Sequence, residues 1–370
     1  MSAPQESARG ASHGPGTDAG ATVMTVTGPV PAAALGTTLV HEHLLNDVAC
    51  WWHRPVEPGR AWLAEAPVRI EILSELRQDP FVCRHNLALD DEALAIAELG
   101  AFADAGGRTV IDPTCRGIGR APGALVRISR ATGLNVVMGA GYYLQDSHPP
   151  ALVAMDADDV AEELCREALE GVDGTGVRIG LIGEIGVSSD FTEAERKSLV
   201  GAARAQVATG LPLMVHLPGW FRLGDEVLDV VEAEGVDPRR VVLCHMNPSH
   251  ADTAYQRRLA ARGAFIEYDM IGMDFFYADQ AVQCPSDDEA ARGIAALAEA
   301  GHLDRVLLSQ DVFLKMMLAR YGGNGYAFVQ RHFLPRLRRH GFGEAALGAL
   351  VRDNPRSVFE PGHTGSESAS

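Results

Sequence analysis

The chain has 370 residues, 46% hydrophobic and 22% charged, with 49 acidic against 32 basic side chains and a net charge of −17. With no lysine- or arginine-rich stripe to offset that excess, a general nucleic-acid binder is excluded, and the absence of any apolar run of about 18 residues excludes a helical membrane span. Six cysteines without a Cys-x-x-Cys pair indicate neither a disulfide framework nor a thiolate zinc module, and they fit the reduced thiols of a cytoplasmic protein.

Residues 1–22 are rich in Ser, Ala, Gly and Pro and contain no signal-peptide core, so they are expected to form a disordered tail, as are residues 361–370. Between them, residues 23–360 repeat one theme, a short aliphatic or β-branched run followed by a longer amphipathic stretch. The runs fall at 37–43, 109–112, 135–141, 179–184, 212–216, 241–245, 265–268 and 306–309. Stretches with apolar spacing of three and four residues lie at 91–105, 157–170, 193–208, 224–234, 252–262 and 287–300. Alternation of this kind predicts parallel strands joined by crossover helices, and eight units fit an α/β fold of the (β/α)8 TIM-barrel type as a single domain. A doubly wound open sheet is the competing arrangement. The first connection, 44–91, is too long for a simple loop and is expected to run over the barrel top with Trp51 and Trp52 in it.

A barrel of this type builds its active site at the carboxyl ends of its strands, so reactive residues should terminate the apolar runs. They do so at five strand ends: His41 and His43, Glu184, His216, His245, and Asp311. Along a strand, residues i and i+2 point the same way, so His41 and His43 could share one ion while Glu42 faces elsewhere. Singly, each of these residues could be a hydrogen-bonded core group or a helix cap. Together, four imidazoles and two carboxylates suit two divalent ions with a carboxylate between them.

The segments Thr37–Leu44 (TTLVHEHL), Gly183–Gly186 (GEIG) and Ser309–Lys315 (SQDVFLK), with the two strand-end histidines, resemble the phosphotriesterase family of the amidohydrolase superfamily. DPTCRGIGR (112–120), GYYLQDSHP (141–149) and DNPRSVF (353–359) support the resemblance, which covers roughly residues 23–360. It implies that His41, His43 and Asp311 hold the more buried ion and that His216 and His245 hold the more exposed one. Glu184 stands where many members carry a bridging carboxylated lysine, which is similar to the phosphotriesterase-related branch. Glutamate preserves the single negative charge and both oxygens but is shorter, so the ions or the local backbone must shift to meet it. The resemblance also implies a homodimer.

Two such ions would lower the pKa of a bridging water and polarise a substrate carbonyl or phosphoryl oxygen, with Asp311 passing the proton to the leaving group. Zinc is the first expectation for the metal, with manganese, cobalt and iron as alternatives. Strand-end loops offer Tyr142, Tyr143, Trp220, Tyr268, Asp269, Lys315, Arg320 and Tyr321 to a small-molecule substrate. Of these, Tyr142, Tyr268, Lys315 and Arg320 are taken as contacts, the two cations pairing with an anionic group. The leading expectation is hydrolysis of a small anionic acyl compound, a lactone or N-acyl amide. Organophosphate triester hydrolysis ranks second, because a triester offers those cations no anion. An inactive binding protein on the same barrel is the third reading.

Overall fold

The computed structural model describes residues 20–360. The expected tails fall on 1–19 and 361–370, outside the described residues, except that Thr22 already begins a strand. An antiparallel hairpin, Thr22–Thr25 with Gly28–Pro31, packs below a parallel barrel of eight strands. We number the barrel strands β1 (Thr37–Leu39), β2 (Gly107–Asp112), β3 (Asn135–Ala140), β4 (Leu181–Gly186), β5 (Leu213–His216), β6 (Val241–Leu243), β7 (Phe265–Tyr268) and β8 (Val306–Leu308). Each pairs in parallel with its sequence neighbour. The β1–β8 seam is closed just beyond the strands, where Asp311 N donates to His41 O at 3.1 Å and His43 N to Val312 O at 3.1 Å. The open-sheet alternative is thereby set aside.

All eight predicted runs overlap a barrel strand, and the six predicted helices appear at Glu92–Asp104, Ala157–Leu169, Glu193–Thr209, Gly224–Ala233, Thr253–Arg262 and Asp287–Glu299. A seventh crossover helix, Pro122–Thr132, starts on a proline and ends at Gly133 in the left-handed region. Both are ordinary helix punctuation, since proline costs nothing at the first position and glycine carries the positive φ of the cap. Inside the barrel the strands stack aliphatic residues such as Val40, Ile111, Val137, Leu181, Met214, Val242 and Leu307, all without solvent exposure. This packed layer is the floor on which the strand-end residues stand.

The 44–91 connection does pass over the barrel top. A two-residue bridge, Asn46–Asp47 with Ala88–Leu89, ties its ends together, and Leu63, Leu76 and Leu87 bury its interior.

Candidate active site

β1 stops at Leu39, two residues short of the histidine pair, so His41 and His43 sit on extended chain beyond the strand. That chain is held by backbone bonds, Glu42 N to Ile111 O on one side and His43 N to Val312 O on the other. Glu42 does face elsewhere. It is fully buried and accepts from Ser309 Oγ (2.8 Å), Gln310 N (2.9 Å), Gln310 Nε2 (3.1 Å) and Val312 N (2.8 Å). The carboxylate therefore pins the turn that carries Asp311, a role that adjacency to two histidines did not reveal.

The structure brings the six strand-end residues together. His41 Nε2 lies 2.9 Å from Glu184 Oε1, and Asp311 Oδ1 lies 3.7 Å from His41 Nε2 and 3.5 Å from His43 Nε2. On the other side His216 Nδ1 is 3.4 Å from Glu184 Oε2, His245 Nε2 is 3.5 Å from Glu184 Oε1, and the two imidazole nitrogens face each other at 2.8 Å. Two imidazole sets thus flank one carboxylate, with Asp311 on the first side. His245 (φ 57°) and Asp311 (φ 48°) both occupy the left-handed region, where side chains other than glycine are uncommon and backbone strain marks functional positions. β4 also loses regular register with β5 between Ile182 and Ile185, so the backbone irregularity falls at Glu184. Gly183, with φ at 131°, permits it, because a Cβ there would collide with the Met214 carbonyl.

Two residues that sequence reasoning did not place in the centre orient it. Glu267 and Asp269, two apart at the end of β7, share the inward face. Glu267 Oε2 faces His41 Nδ1 at 3.2 Å, while Asp269 accepts from His245 N at 2.8 Å and faces its Nδ1 at 3.1 Å. Thr114 Oγ1 meets His43 Nδ1 at 2.7 Å. The signal for the pair was a carboxylate alternation in an otherwise apolar strand, Phe265-Ile266-Glu267-Tyr268-Asp269. Asp269 had been noted only as a loop candidate.

The electrostatics follow from burial and pairing. Burial lowers His41 and His245, but Glu184 beside the first and Asp269 beside the second outweigh it and hold both well above 6.5. Burial works to raise Glu184, yet His216 and His41 bring it well below 4.5. For His216 burial prevails and its pKa is lowered, which keeps the ring neutral and its lone pair available. Glu267 is pushed up to about 7 by burial.

These residues fit metal ions. His41 Nε2 is fully buried without a hydrogen-bond partner, since its approach to Glu184 does not have hydrogen-bond geometry. Its Nδ1 faces Glu267, the carboxylate–histidine pairing that fixes the tautomer of a metal-ligating imidazole and leaves the other nitrogen free to coordinate. His41, His43 and Asp311 converge within 4.8 Å, as do His41, Glu184 and His245.

Above the centre lies a cavity of about 690 Å³, reached by His43, Glu184, His216, His245 and Asp311. None of the four expected substrate contacts lines it. The Tyr142 hydroxyl turns away to Glu163 Oε2 (2.9 Å), and Tyr268, pointing outward from β7 by strand alternation, donates to Gln256 Oε1 (2.6 Å). Lys315 is buried, and its ammonium is consumed by Ala88 O and by Asp90 Oδ1 at 2.7 Å. The Arg320 side chain is exposed, and only its backbone is engaged, by Glu98. The expectation of a cationic subsite is corrected accordingly, and of the aromatics expected from the sequence in the strand-end loops, Tyr143 and Trp220 do reach the cavity.

The fold and its polar centre define a (β/α)8 barrel with a candidate metal centre at the carboxyl ends of its strands. The sequence model of the phosphotriesterase family matches residues 21–359, and the chain belongs to that family. N-acetyltaurine hydrolase of Tetraodon nigroviridis is 34% identical over 338 residues, covering 90% of this chain and 96% of the relative. A resiniferatoxin-binding protein from Rhodobacter sphaeroides superposes with a TM-score of 0.91 at 69% identity, covering 92% of this chain and 95% of the other. The phosphotriesterase homology protein from Escherichia coli, solved with phosphate in its active site, gives a TM-score of 0.71 at 29% identity, covering 88% and 99%.

Proposed function

We propose that the chain is a binuclear metal-dependent hydrolase that cleaves the amide or lactone bond of a small acyl compound. The observation that carries this is the convergence of His41 Nε2, His43 Nε2, His216 Nδ1 and His245 Nε2 on Asp311 and the two oxygens of Glu184. When bound, two divalent ions supply an activated water at neutral pH and polarise the substrate carbonyl. His41, His43 and Asp311 would hold one ion and His216 and His245 the other, with the Glu184 carboxylate between the two sets. Zinc is the metal we propose first, ahead of manganese, cobalt and iron.

The proton chemistry belongs to the chain itself. Asp311 turns Oδ1 toward His41 and His43 and Oδ2 toward the His245 side, 3.9 Å from Nδ1, so one oxygen is free to accept the proton of the attacking water. From there the proton passes to the departing amine or alkoxide. Glu267 and Asp269 keep His41 and His245 oriented throughout.

Acyl hydrolysis ranks above phosphotriester hydrolysis because curated relatives sharing about a third of this sequence act on an N-acetyl amide. Lys315 and Arg320 lie outside the cavity and favour neither substrate class. Panels of N-acyl amides, lactones and paraoxon, assayed with zinc-loaded protein, test the ranking through kcat/KM; a paraoxon value tenfold above the other two overturns it. Six free cysteines support a reducing, cytoplasmic setting, and family resemblance supports a homodimer, which light scattering on an eluting peak would check.

A further inference from the structure

The walls of the cavity say more about the substrate than its floor does. Trp51 stacks on Phe81 (5.4 Å between centroids), Phe81 meets Tyr277 (5.1 Å) and Phe313 (6.4 Å), Trp220 meets Tyr277 (5.6 Å), and Tyr143 stands edge-on to His216 (4.8 Å). The six rings come from the long β1 connection and from the loops after β3, β5, β7 and β8, so they form one continuous apolar wall rising from the polar centre. The hydrogen bond from Trp51 Nε1 to the Tyr143 hydroxyl, at 3.1 Å, satisfies two of their polar atoms against each other and leaves ring faces toward the cavity.

Outside the histidine centre, the charges lining the same space are all negative. Six carboxylates contribute to it, and among the described residues no lysine or arginine does. Glu184 and Asp311 belong to the centre. Glu195 is spent on the N–H groups of Gln145, Ser188 and Thr192. Asp146, Asp190 and Asp279 remain, all exposed around the mouth. An anionic group on the part of the substrate that lies beyond the centre meets repulsion there with no lysine or arginine to receive it, whereas an uncharged ring gains burial against the aromatic wall.

Resting on the hydrolase reading above, we infer that this cavity selects an uncharged acyl compound bearing an aromatic-sized apolar group and discriminates against anionic ones. Among the described residues, no lysine or arginine in the cavity wall could pair with the sulfonate that those relatives' name specifies.

A matched pair tests it. N-acetyltaurine and N-(2-phenylethyl)acetamide carry the same acetamide on the same two-carbon spacer and differ in sulfonate against phenyl. Binding is read by quenching of tryptophan fluorescence, which Trp51 and Trp220 report from inside the cavity, and turnover is measured separately with zinc-loaded protein. The phenyl compound is expected to bind at least tenfold more tightly, with the gap narrowing as salt screens the rim. Replacing Asp146 and Asp279 together by asparagine is expected to tighten N-acetyltaurine binding severalfold. Equal or tighter binding of N-acetyltaurine to the unmodified protein, or no quenching by either amide, overturns the inference. Selective binding without turnover of either amide leaves the selectivity standing and counts against the hydrolase reading instead.

Discussion

His41 divides its two ring nitrogens between partners with different tasks, Nδ1 toward Glu267 and Nε2 toward Glu184 and Asp311. Substituting His41 or His43 by alanine removes a proposed ligand, so metal content and turnover should fall together. Glu267→Gln keeps the shape but weakens the acceptor for Nδ1; losses at this kind of outer position run on the order of 10–100-fold in metal affinity or activity. A competition titration against a chelator would measure it, and unchanged affinity would remove Glu267 from the orienting role. Asp311→Asn separates ligand from proton carrier. Retained metal with turnover lost by about 100-fold or more is expected if the carboxylate moves the proton, and retained turnover would contradict that role.

At the scale of elements, the seam between β1 and β8 depends on Glu42. Glu42→Ala would strand the buried donors of Ser309, Gln310 and Val312, each costing on the order of 1–3 kcal/mol when left unsatisfied. A thermal melt should show a drop of several degrees, and Glu42→Gln should recover part of it. Strand and helix positions were legible because short apolar runs alternate with stretches of three-and-four spacing, although the crossover helix Pro122–Thr132 did not show as such a stretch. The meeting of the six polar residues was legible because a barrel turns strand ends into neighbours. Side-chain direction in loops was not. Tyr142 and Tyr143 are adjacent, yet one hydroxyl goes to Glu163 and the other to Trp51 at the cavity. Lys315 follows Asp311 by four residues, but the intervening turn aims it at Ala88 and Asp90, a contact with the long β1 connection that no local pattern encodes.

For the whole molecule, the proposed ligand cluster would couple folding to pH and to metal. In metal-free protein His41 and His245 have pKa values raised well above 6.5, so their contribution to stability is fully present below pH 6.5 and is lost as pH rises through the folded values. Glu184, held well below 4.5, contributes above pH 4.5 and loses that contribution as pH falls through its folded value. Metal requires the unprotonated nitrogens, so loading reverses the histidine dependence. Between pH 6 and 8 the melting temperature of chelator-treated protein is expected to fall and that of zinc-loaded protein to rise. Parallel trends in the two preparations would contradict the assignment of these histidines as ligands.

The central claim is that one chain holds two ions across Glu184. Metal content by plasma mass spectrometry, after zinc loading and gel filtration, tests it most directly when the protein and its Glu184→Ala variant are measured side by side. The expected result is about two ions per chain in the first and one or fewer in the second, in line with binuclear barrel sites that need a bridging carboxylate. Fewer than one ion per chain in the unmodified protein, or two in the variant, would contradict it.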